Sequence, residues 1–272
     1  MVDCPDEPGL IYRISEILFR SGANIVRNQE YVDEETARFF MRTEFSNVSG
    51  VDGLLEALQA ILPAAAQVKL KAVSNPDVVI LATQEHHCLG ELLLLNAFNE
   101  LGASISAVIS NHNTLRPLAD QFGIPFHFIT HEGVPRPEHE AQLMQAISSY
   151  GPEYVILAKY MRVLGPTLLQ EFPHRIINIH HSFLPAFIGA QPYRQAFERG
   201  VKLIGATAHF VTEVLDEGPI IAQSVIPVDH NYSPARMAQA GRDIEKLVLA
   251  KAIRLVSEER VLLVGNRTIV FE

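Results

Sequence analysis

Short runs of continuous apolar residues alternate with stretches of helical apolar spacing through most of this chain. The runs include DVVILAT, ISAVIS, YVILA and RIINIH, which begin at residues 77, 105, 154 and 175. Strands that are apolar on both faces are typical of a parallel sheet covered by helices. Strand–helix alternation likewise predicts a doubly wound α/β fold. We therefore expect residues 77–272 to form one domain with a mostly parallel sheet.

A different pattern occupies residues 1–73. There the sequence predicts a helix, two β-rich runs, a second helix and a further strand, and Asn75-Pro76 then favours a turn between domains. The order α-β-β-α-β is that of a ferredoxin-like α+β unit without its first strand, because only three residues precede Cys4. We expect a small separate domain at residues 1–73 that lacks this strand.

Composition disfavours several classes of function. Lys and Arg number 22 against 31 Asp and Glu, and the formal net charge of −9 disfavours a nucleic-acid partner. The two cysteines, Cys4 and Cys88, are too few for a disulfide framework and favour a reduced, cytoplasmic setting. The sequence shows neither a signal-peptide pattern nor an apolar stretch long enough to span a membrane.

The strand at residues 176–180 carries the clearest sign of chemistry. Asn178 and His180 are two residues apart in an otherwise apolar run, so they project from the same face. A loop containing Ser182 and Pro185 follows. In open α/β sheets, ligands bind in the crevice beyond the carboxyl ends of the strands. We therefore expect both side chains to lie at a ligand site.

A second stretch adds a carboxylate. Alternating residues around His209 predict a strand, and an acidic loop with Asp216 follows. An amide and a protonated imidazole stabilise an oxyanion, while a carboxylate holds the imidazolium and orients water, so the set suits attack on a carbonyl. A lone buried histidine is more often structural, and Asp216 alone could be a turn residue. The joint pattern favours catalysis.

These motifs resemble the enzymes that transfer the formyl group of 10-formyltetrahydrofolate. The resemblance rests on Asn-Ile-His at 178–180, Ser-Phe-Leu-Pro at 182–185 and Asp216 seven residues after His209, and it covers nearly the whole chain. It implies that Asn178 polarises the formyl oxygen, that His180 is the acid/base, and that Asp216 pairs with His180 and orders water. It also implies a folate substrate and no cofactor.

The resemblance further implies where the folate binds. The loop after the strand YVILA would line the pterin pocket, and the acidic loop at 213–218 would form the other wall. His209 looks like a supporting residue that orients Asp216. The substrate-binding residues implied in this way are Met161, Arg162, Val163, Leu164, His209 and Glu217.

The loop at 83–87 bears on the formyl acceptor. Family members that act on glycinamide ribonucleotide place a glycine-rich, phosphate-binding loop after this strand, whereas here the loop has no glycine and carries Glu85. A phosphate needs exposed backbone N–H groups and no nearby anion. An initiator-tRNA acceptor would need a basic surface. Hydrolysis to tetrahydrofolate and formate is the option that needs no other acceptor. The resemblance implies a role in formate supply for purine synthesis and in one-carbon balance.

The N-terminal segment resembles the ACT family of amino-acid-sensing modules. The resemblance rests on CPDEPGL at 4–10 and on Gly-Ala-Asn-Ile at 22–25. It implies an amino-acid effector bound near Asp6, Gly9 and Asn24, and a homo-oligomer, because such modules commonly pair their sheets between chains. A binding protein that senses amino acids and holds folate without turnover is the alternative. The presence of Asn178, His180 and Asp216 together favours the enzyme.

His86-His87-Cys88 is the one tripeptide that invites a metal interpretation. No second ligand cluster with familiar spacing is evident in the sequence, so we expect no metal site. We expect instead that this segment begins a helix beside the crevice.

Overall fold

The computed structural model describes residues 1–47, 51–185 and 192–272. The described residues group into two compact units: one comprises Met1–Ser74 with Phe271–Glu272, and the other comprises Asn75–Val270. No helix among the described residues is both long and apolar enough to cross a membrane.

The first unit has the ferredoxin-like order of elements. Its elements are β1 (Val2–Pro5), α1 (Leu10–Arg20), β2 (Asn24–Asp33), β3 (Arg38–Ser46), α2 (Val51–Ile61) and β4 (Gln67–Val68). In the described residues these strands form one sheet with the order β2-β3-β1-β4. Helix α1 buries Leu10, Ile14 and Leu18, which recur every four residues and so lie on one face.

The expectation that the first strand is missing is wrong. Strand β1 pairs antiparallel with β3 and β4, and Val2 lies opposite Met41 on one side and Val68 on the other. Val2 and Cys4 point into the core while Asp3 is only partly covered. Four residues suffice because the strand is central, so its neighbours satisfy its backbone on both sides.

The second unit contains nine strands and six helices in its described part. The strands are β5 (Asp77–Ala82), β6 (Ser104–Ser110), β7 (Phe126–Phe128), β8 (Tyr154–Ala158), β9 (Ile176–His180), β10 (Leu203–Phe210), β11 (Ile220–Pro227), β12 (Val261–Val264) and β13 (Arg267–Val270). The helices are α3 (His87–Ala97), α4 (Arg116–Gln121), α5 (Arg136–Ser148), α6 (Pro166–Glu171), α7 (Pro192–Glu198) and α8 (Pro234–Ser257).

The larger sheet has the strand order β11-β10-β9-β8-β5-β6-β7 in the described residues. Strands β5 to β9 are parallel, whereas β10 runs antiparallel to both β9 and β11. Helices cover both faces: Leu92 and Val248 belong to the core on one side, and Leu143 and Leu168 to the core on the other. The predicted doubly wound, mostly parallel fold is therefore confirmed, and β12 and β13 form a separate antiparallel hairpin.

The strand order of the larger sheet indicates where a ligand crevice lies. From β5 the chain first moves outward through β6 and β7, and it then returns to the other side of β5 with β8 and β9. The topological switch point therefore lies between the carboxyl ends of β5 and β8, which is where open α/β sheets bind ligands. The backbone N–H of Met161 donates to the hydroxyl of Thr83 at 3.1 Å and so connects the two strand ends.

Candidate active site

Strand register brings the predicted polar residues together. Asn178 and His180 lie on β9, and in the antiparallel pairing with β10 His209 lies opposite Asn178 while Thr207 lies opposite His180. Residues directly opposite each other project from the same face. His180 is 6% exposed and His209 is 2% exposed, so this polar group is largely withdrawn from water.

The contacts of His209 fix its tautomer. Its Nδ1 lies 2.9 Å from the carbonyl oxygen of Phe210, so Nδ1 carries the proton and donates it. Burial lowers the pKa of His209, which leaves the ring neutral near pH 7. Its Nε2 must then accept the hydrogen bond from the Asn178 amide nitrogen, at 3.3 Å. His209 thereby orients the amide of Asn178, and the same Nε2 also lies 3.8 Å from Oδ1 of Asp216, the residue that it is predicted to orient.

Asp216 reaches the site through a tight loop after β10. The backbone N–H of Phe210 donates to the carbonyl of Pro219 at 2.9 Å, which closes the loop at its base. Asp216 has a φ of 58°, a left-handed conformation that short polar side chains tolerate. Its Oδ2 lies 3.3 Å from His180 Nδ1, while Oδ1 lies 3.8 Å from His209 Nε2. The hydrogen bond with His180 lowers the pKa of Asp216.

His180 is left with one free ring nitrogen. Because Nδ1 faces the Asp216 carboxylate, it carries a proton and donates it. Nε2 is buried and has no hydrogen-bond partner among the described residues. A buried polar atom without a partner is costly unless a ligand or water pairs with it. This nitrogen is therefore available to a substrate.

Thr207 anchors the loop that follows His180, a role that sequence analysis missed. Its hydroxyl donates to the carbonyl of Ser182 at 2.9 Å and accepts from the N–H of Leu184 at 3.1 Å and from the amide of Gln223 at 2.9 Å. One donated and two accepted bonds use the full capacity of a hydroxyl. The backbone beyond β9 is thus held in place from β10.

Two loops at the carboxyl edge of the sheet expose apolar side chains. Met161 and Val163, which were predicted as pterin-pocket residues, are 63% and 59% exposed, whereas Leu164 is buried. Val214 and Leu215, on the loop that carries Asp216, are also exposed and were not predicted. Large exposed apolar groups beside polar ones are typical of ligand sites.

The remaining predicted substrate residues lie on the same two loops. Arg162 is half-buried, and its charge contributes to the lowered pKa of His139. The Glu217 side chain is exposed, while its carbonyl accepts a hydrogen bond from Asn266 at 2.9 Å. The structure therefore places Glu217 on the loop as predicted, with its carboxylate in solvent.

A buried polar cluster borders the crevice and was also missed. Glu245, on α8, is 1% exposed and accepts from His87 Nε2 at 2.9 Å, from Lys159 Nζ at 3.1 Å and from the Tyr193 hydroxyl at 2.6 Å. Burial favours the neutral acid, but the bonds from His87 and Tyr193 and the charge of Lys159 outweigh it and lower the pKa of Glu245 to about 2. Gly241, one turn earlier, makes room for the Tyr193 ring.

The same cluster bears on the metal interpretation. Possible ligand atoms of His87, Cys88 and Glu245 lie within 4.8 Å of one another, a grouping that the sequence spacing did not reveal. However, the cation that balances Glu245 is the Lys159 ammonium. Burial also raises the pKa of the Cys88 thiol well above its usual value, which disfavours the thiolate that a metal ligand requires. Helix α3 begins at His87, as expected.

The predicted effector residues do not converge within one chain. Asp6 and Gly9 follow β1, whose last residue, Pro5, lies opposite Arg38. Asn24 begins β2 and lies opposite Ser46, eight residues farther along β3. At about 3.4 Å per residue, these positions are at opposite ends of the sheet.

Comparison with known proteins agrees with this geometry. The formyl transferase family profile matches residues 77–253, and the ACT domain profile matches residues 1–63. A formyltetrahydrofolate deformylase from Escherichia coli (strain K12) is 53% identical over 267 residues, covering 98% of this chain and 95% of that protein. This chain belongs to the formyltetrahydrofolate deformylase family. The strand–helix alternation and the motifs around β9 therefore predicted the correct family.

Solved structures extend the comparison. The crystal structure of a formyltetrahydrofolate deformylase from Pseudomonas syringae pv. tomato superposes with a TM-score of 0.94 at 38% identity and covers all of this chain and 93% of that one. A glycinamide ribonucleotide transformylase from Symbiobacterium toebii superposes with a TM-score of 0.70 at 32% identity and covers 73% of this chain and 95% of that one. Deformylase and transformylase therefore share the fold of the larger unit.

Proposed function

We propose that this chain hydrolyses 10-formyltetrahydrofolate to tetrahydrofolate and formate. The observation that carries the proposal is the free Nε2 of His180, held beside Asn178 by the contact between His180 Nδ1 and Asp216. Membership of the deformylase family names the reaction, and these three side chains supply the chemistry that it requires. Water adds to the formyl carbon, and the oxyanion that forms is stabilised by the Asn178 amide and the protonated His180 ring.

In the second half of the reaction the C–N bond breaks, N10 gains a proton and His180 recovers the proton that it gave up. Collapse of the tetrahedral species breaks the bond between the formyl carbon and N10, and His180 Nε2 donates its proton to N10. The attacking water has by then lost a proton, which Asp216 accepts or relays to His180. The products are formate, tetrahydrofolate and one proton released to solvent, so atoms and charge balance without a redox step. The left-handed loop that holds Asp216 fixes the carboxylate in position for this relay.

We further propose that the folate ring binds between the loops at 161–164 and 213–218, with His209 acting through Asn178. The exposed apolar side chains of Met161 and Leu215 suit a flat ring system. The loop at 83–87 presents Glu85 instead of a glycine-rich cradle, which favours water over a phosphorylated acceptor. On this scheme the folate is the substrate and no further cofactor takes part.

The ACT match supports a regulatory domain at residues 1–73 beside a catalytic domain at 77–272. We propose that an amino acid binds the first domain near Asp6, Gly9 and Asn24 in a homo-oligomer. Because Asn24 is far from Asp6 in one chain, such a site draws its residues from two subunits. Both cysteines are free and buried, which fits a cytoplasmic enzyme.

The experiment that tests the proposed activity measures formate release from 10-formyltetrahydrofolate in buffer, with and without glycinamide ribonucleotide. We expect formate in both samples, at equal rates, and no formylated ribonucleotide. Turnover that appears only when the ribonucleotide is present would instead identify a transferase. Tight folate binding without any turnover would identify a sensor.

Replacing Asp216 with asparagine tests the role of the carboxylate. Asparagine also tolerates a φ of 58°, so the loop is expected to keep its shape. The charge beside His180 is lost, and we expect kcat to fall by about 10²–10³ with folate affinity unchanged. Asp120→Asn, at an exposed position on α4, is the matched control. A kcat within twofold of that control would exclude Asp216 from the chemistry.

A further inference from the structure

Two imidazole rings stack at the carboxyl end of β9. The centroids of His180 and His181 lie 4.9 Å apart, and the ring planes differ by 15°. Two rings at this distance cannot both be protonated without a repulsion between like charges. Something must therefore decide which of the two carries a proton.

The charged partners of the two rings are opposite in sign. His180 Nδ1 faces the Asp216 carboxylate at 3.3 Å, and His181 Nδ1 faces the Lys159 ammonium at 3.4 Å. An ammonium group only donates, so His181 Nδ1 must accept and its proton lies on Nε2. A second proton on His181 would have to enter at Nδ1, against the ammonium. Paired groups whose surroundings favour different charge states mark acid/base assignments.

We propose that Lys159 is a positioning residue that keeps His181 unprotonated, so that His180 alone carries the proton that the reaction uses. The assignment of the proton to His180 rests on the proposed hydrolysis. The statement about His181 rests on geometry alone.

The structure holds Lys159 firmly in this place. Its side chain is 6% exposed. The Glu245 carboxylate lies 3.1 Å from Nζ and is itself bound by His87 and Tyr193, so it supplies a fixed counter-charge to the ammonium. The Lys159 backbone has a φ of 62°, a strained conformation for a lysine. Strain of this kind persists at functional sites where the surroundings enforce it.

The groups that face His181 have opposing effects on its pKa, and the lowering effects are the larger ones. Burial lowers the pKa of His181 most, and the positive charges of Lys159 and His180 lower it further. Glu245 and Asp216 oppose these effects less strongly, and the pKa of His181 is lowered to about 4. The Tyr193 ring, at 6.3 Å, adds no charge, since burial and Glu245 raise its pKa. His181 is therefore neutral between pH 5 and pH 8.

The test uses two variants of the full chain that lack the ammonium. Lys159→Met removes the positive charge. Lys159→Met combined with Glu245→Gln also removes the buried carboxylate, and it provides a second variant for the measurement if the first does not fold. Histidine ring NMR signals are followed against pH, and the His181 signal is assigned by its loss in His181→Phe. We expect the His181 titration midpoint to rise by about one pH unit or more in Lys159→Met, and to rise by less in the double variant, because Glu245→Gln also removes a negative charge that raises the pKa of His181. An unchanged midpoint overturns the proposal.

The kinetic readout separates positioning from packing. In Lys159→Met, the ratio of variant to wild-type kcat/KM is expected to fall by about a quarter or more between pH 8 and pH 5.5, because a midpoint raised from about 4 to about 5 or above leaves at least about a quarter of His181 protonated at pH 5.5, and protonated His181 then competes with His180. In the His181→Phe background, where this ring cannot titrate, the same substitution is expected to give a ratio independent of pH. A ratio that is constant in both backgrounds overturns the proposal. If the wild type released no formate, the hydrolysis would fail, while the NMR titration would still decide the role of Lys159.

Discussion

Replacing His180 with glutamine is expected to lower kcat/KM for formate release by about three orders of magnitude. General acid/base groups contribute about 10²–10⁴ in rate, and His180 is the ring whose free nitrogen faces the reacting group in our scheme. Glutamine still bonds to Asp216 but neither accepts nor donates a proton at neutral pH. The loss is therefore expected in kcat, with the dissociation constant of a non-reactive folate nearly unchanged.

The control for this substitution is His230→Gln. His230 is exposed and lies in the turn between β11 and α8. Formate is quantified at saturating and at limiting substrate for both variants, so that kcat and KM are resolved. If His180→Gln retained more than a tenth of the wild-type kcat, the proposed acid/base role of His180 would be untenable.

Gly218→Ala is expected to inactivate the site, although Gly218 lies two residues after Asp216 and has no side chain of its own. A Cβ at Gly218 would lie 1.8 Å from the carbonyl oxygen of Phe210. That carbonyl belongs to β10, which is paired on both sides, so the loop must move instead. We expect Asp216 to leave His180, kcat to fall at least about 100-fold, and the free energy of unfolding to drop by about 1–3 kcal/mol.

Gly90→Ala is the matched control, because a Cβ there would meet only Leu118, at 3.9 Å, and alanine is favoured in a helix. Thermal unfolding and formate release are measured on both variants. Wild-type activity in Gly218→Ala would show that the loop tolerates a side chain and that Asp216 is not held by this close approach.

The sequence predicts what depends on local periodicity. The continuous apolar strands specify the parallel sheet, and the two-residue spacing of Asn178 and His180 places them on one face. The contact between His209 and Asn178 depends instead on the register between β9 and β10, because these two residues are 31 positions apart in the chain. One strand alone does not reveal its register. Sequence analysis therefore anticipated that His209 lies near Asp216 but missed its closer contact with Asn178.

The buried polar cluster around Glu245 is even harder to predict from sequence spacing. Glu245 is one of two acidic residues on the long helix α8, and its donors come from three distant segments of the chain. No spacing rule connects such residues, because helix packing alone brings them together. Strand β1 was missed for a related reason, since a four-residue strand with an acid and a proline is recognisable only from its partners.

The position of Glu245 has a consequence for the order of assembly. A ribosome delivers His87, Lys159 and Tyr193 before α8 emerges, so the nascent larger unit holds these three donors without Glu245, the acceptor that they share. Enclosing an ammonium without a counter-charge costs several kcal/mol, which keeps the half-made interior open to water. We therefore expect the interior around Lys159 to exclude water only after α8 has packed and has supplied the Glu245 carboxylate. A chain that ends before α8 is expected to leave this region open.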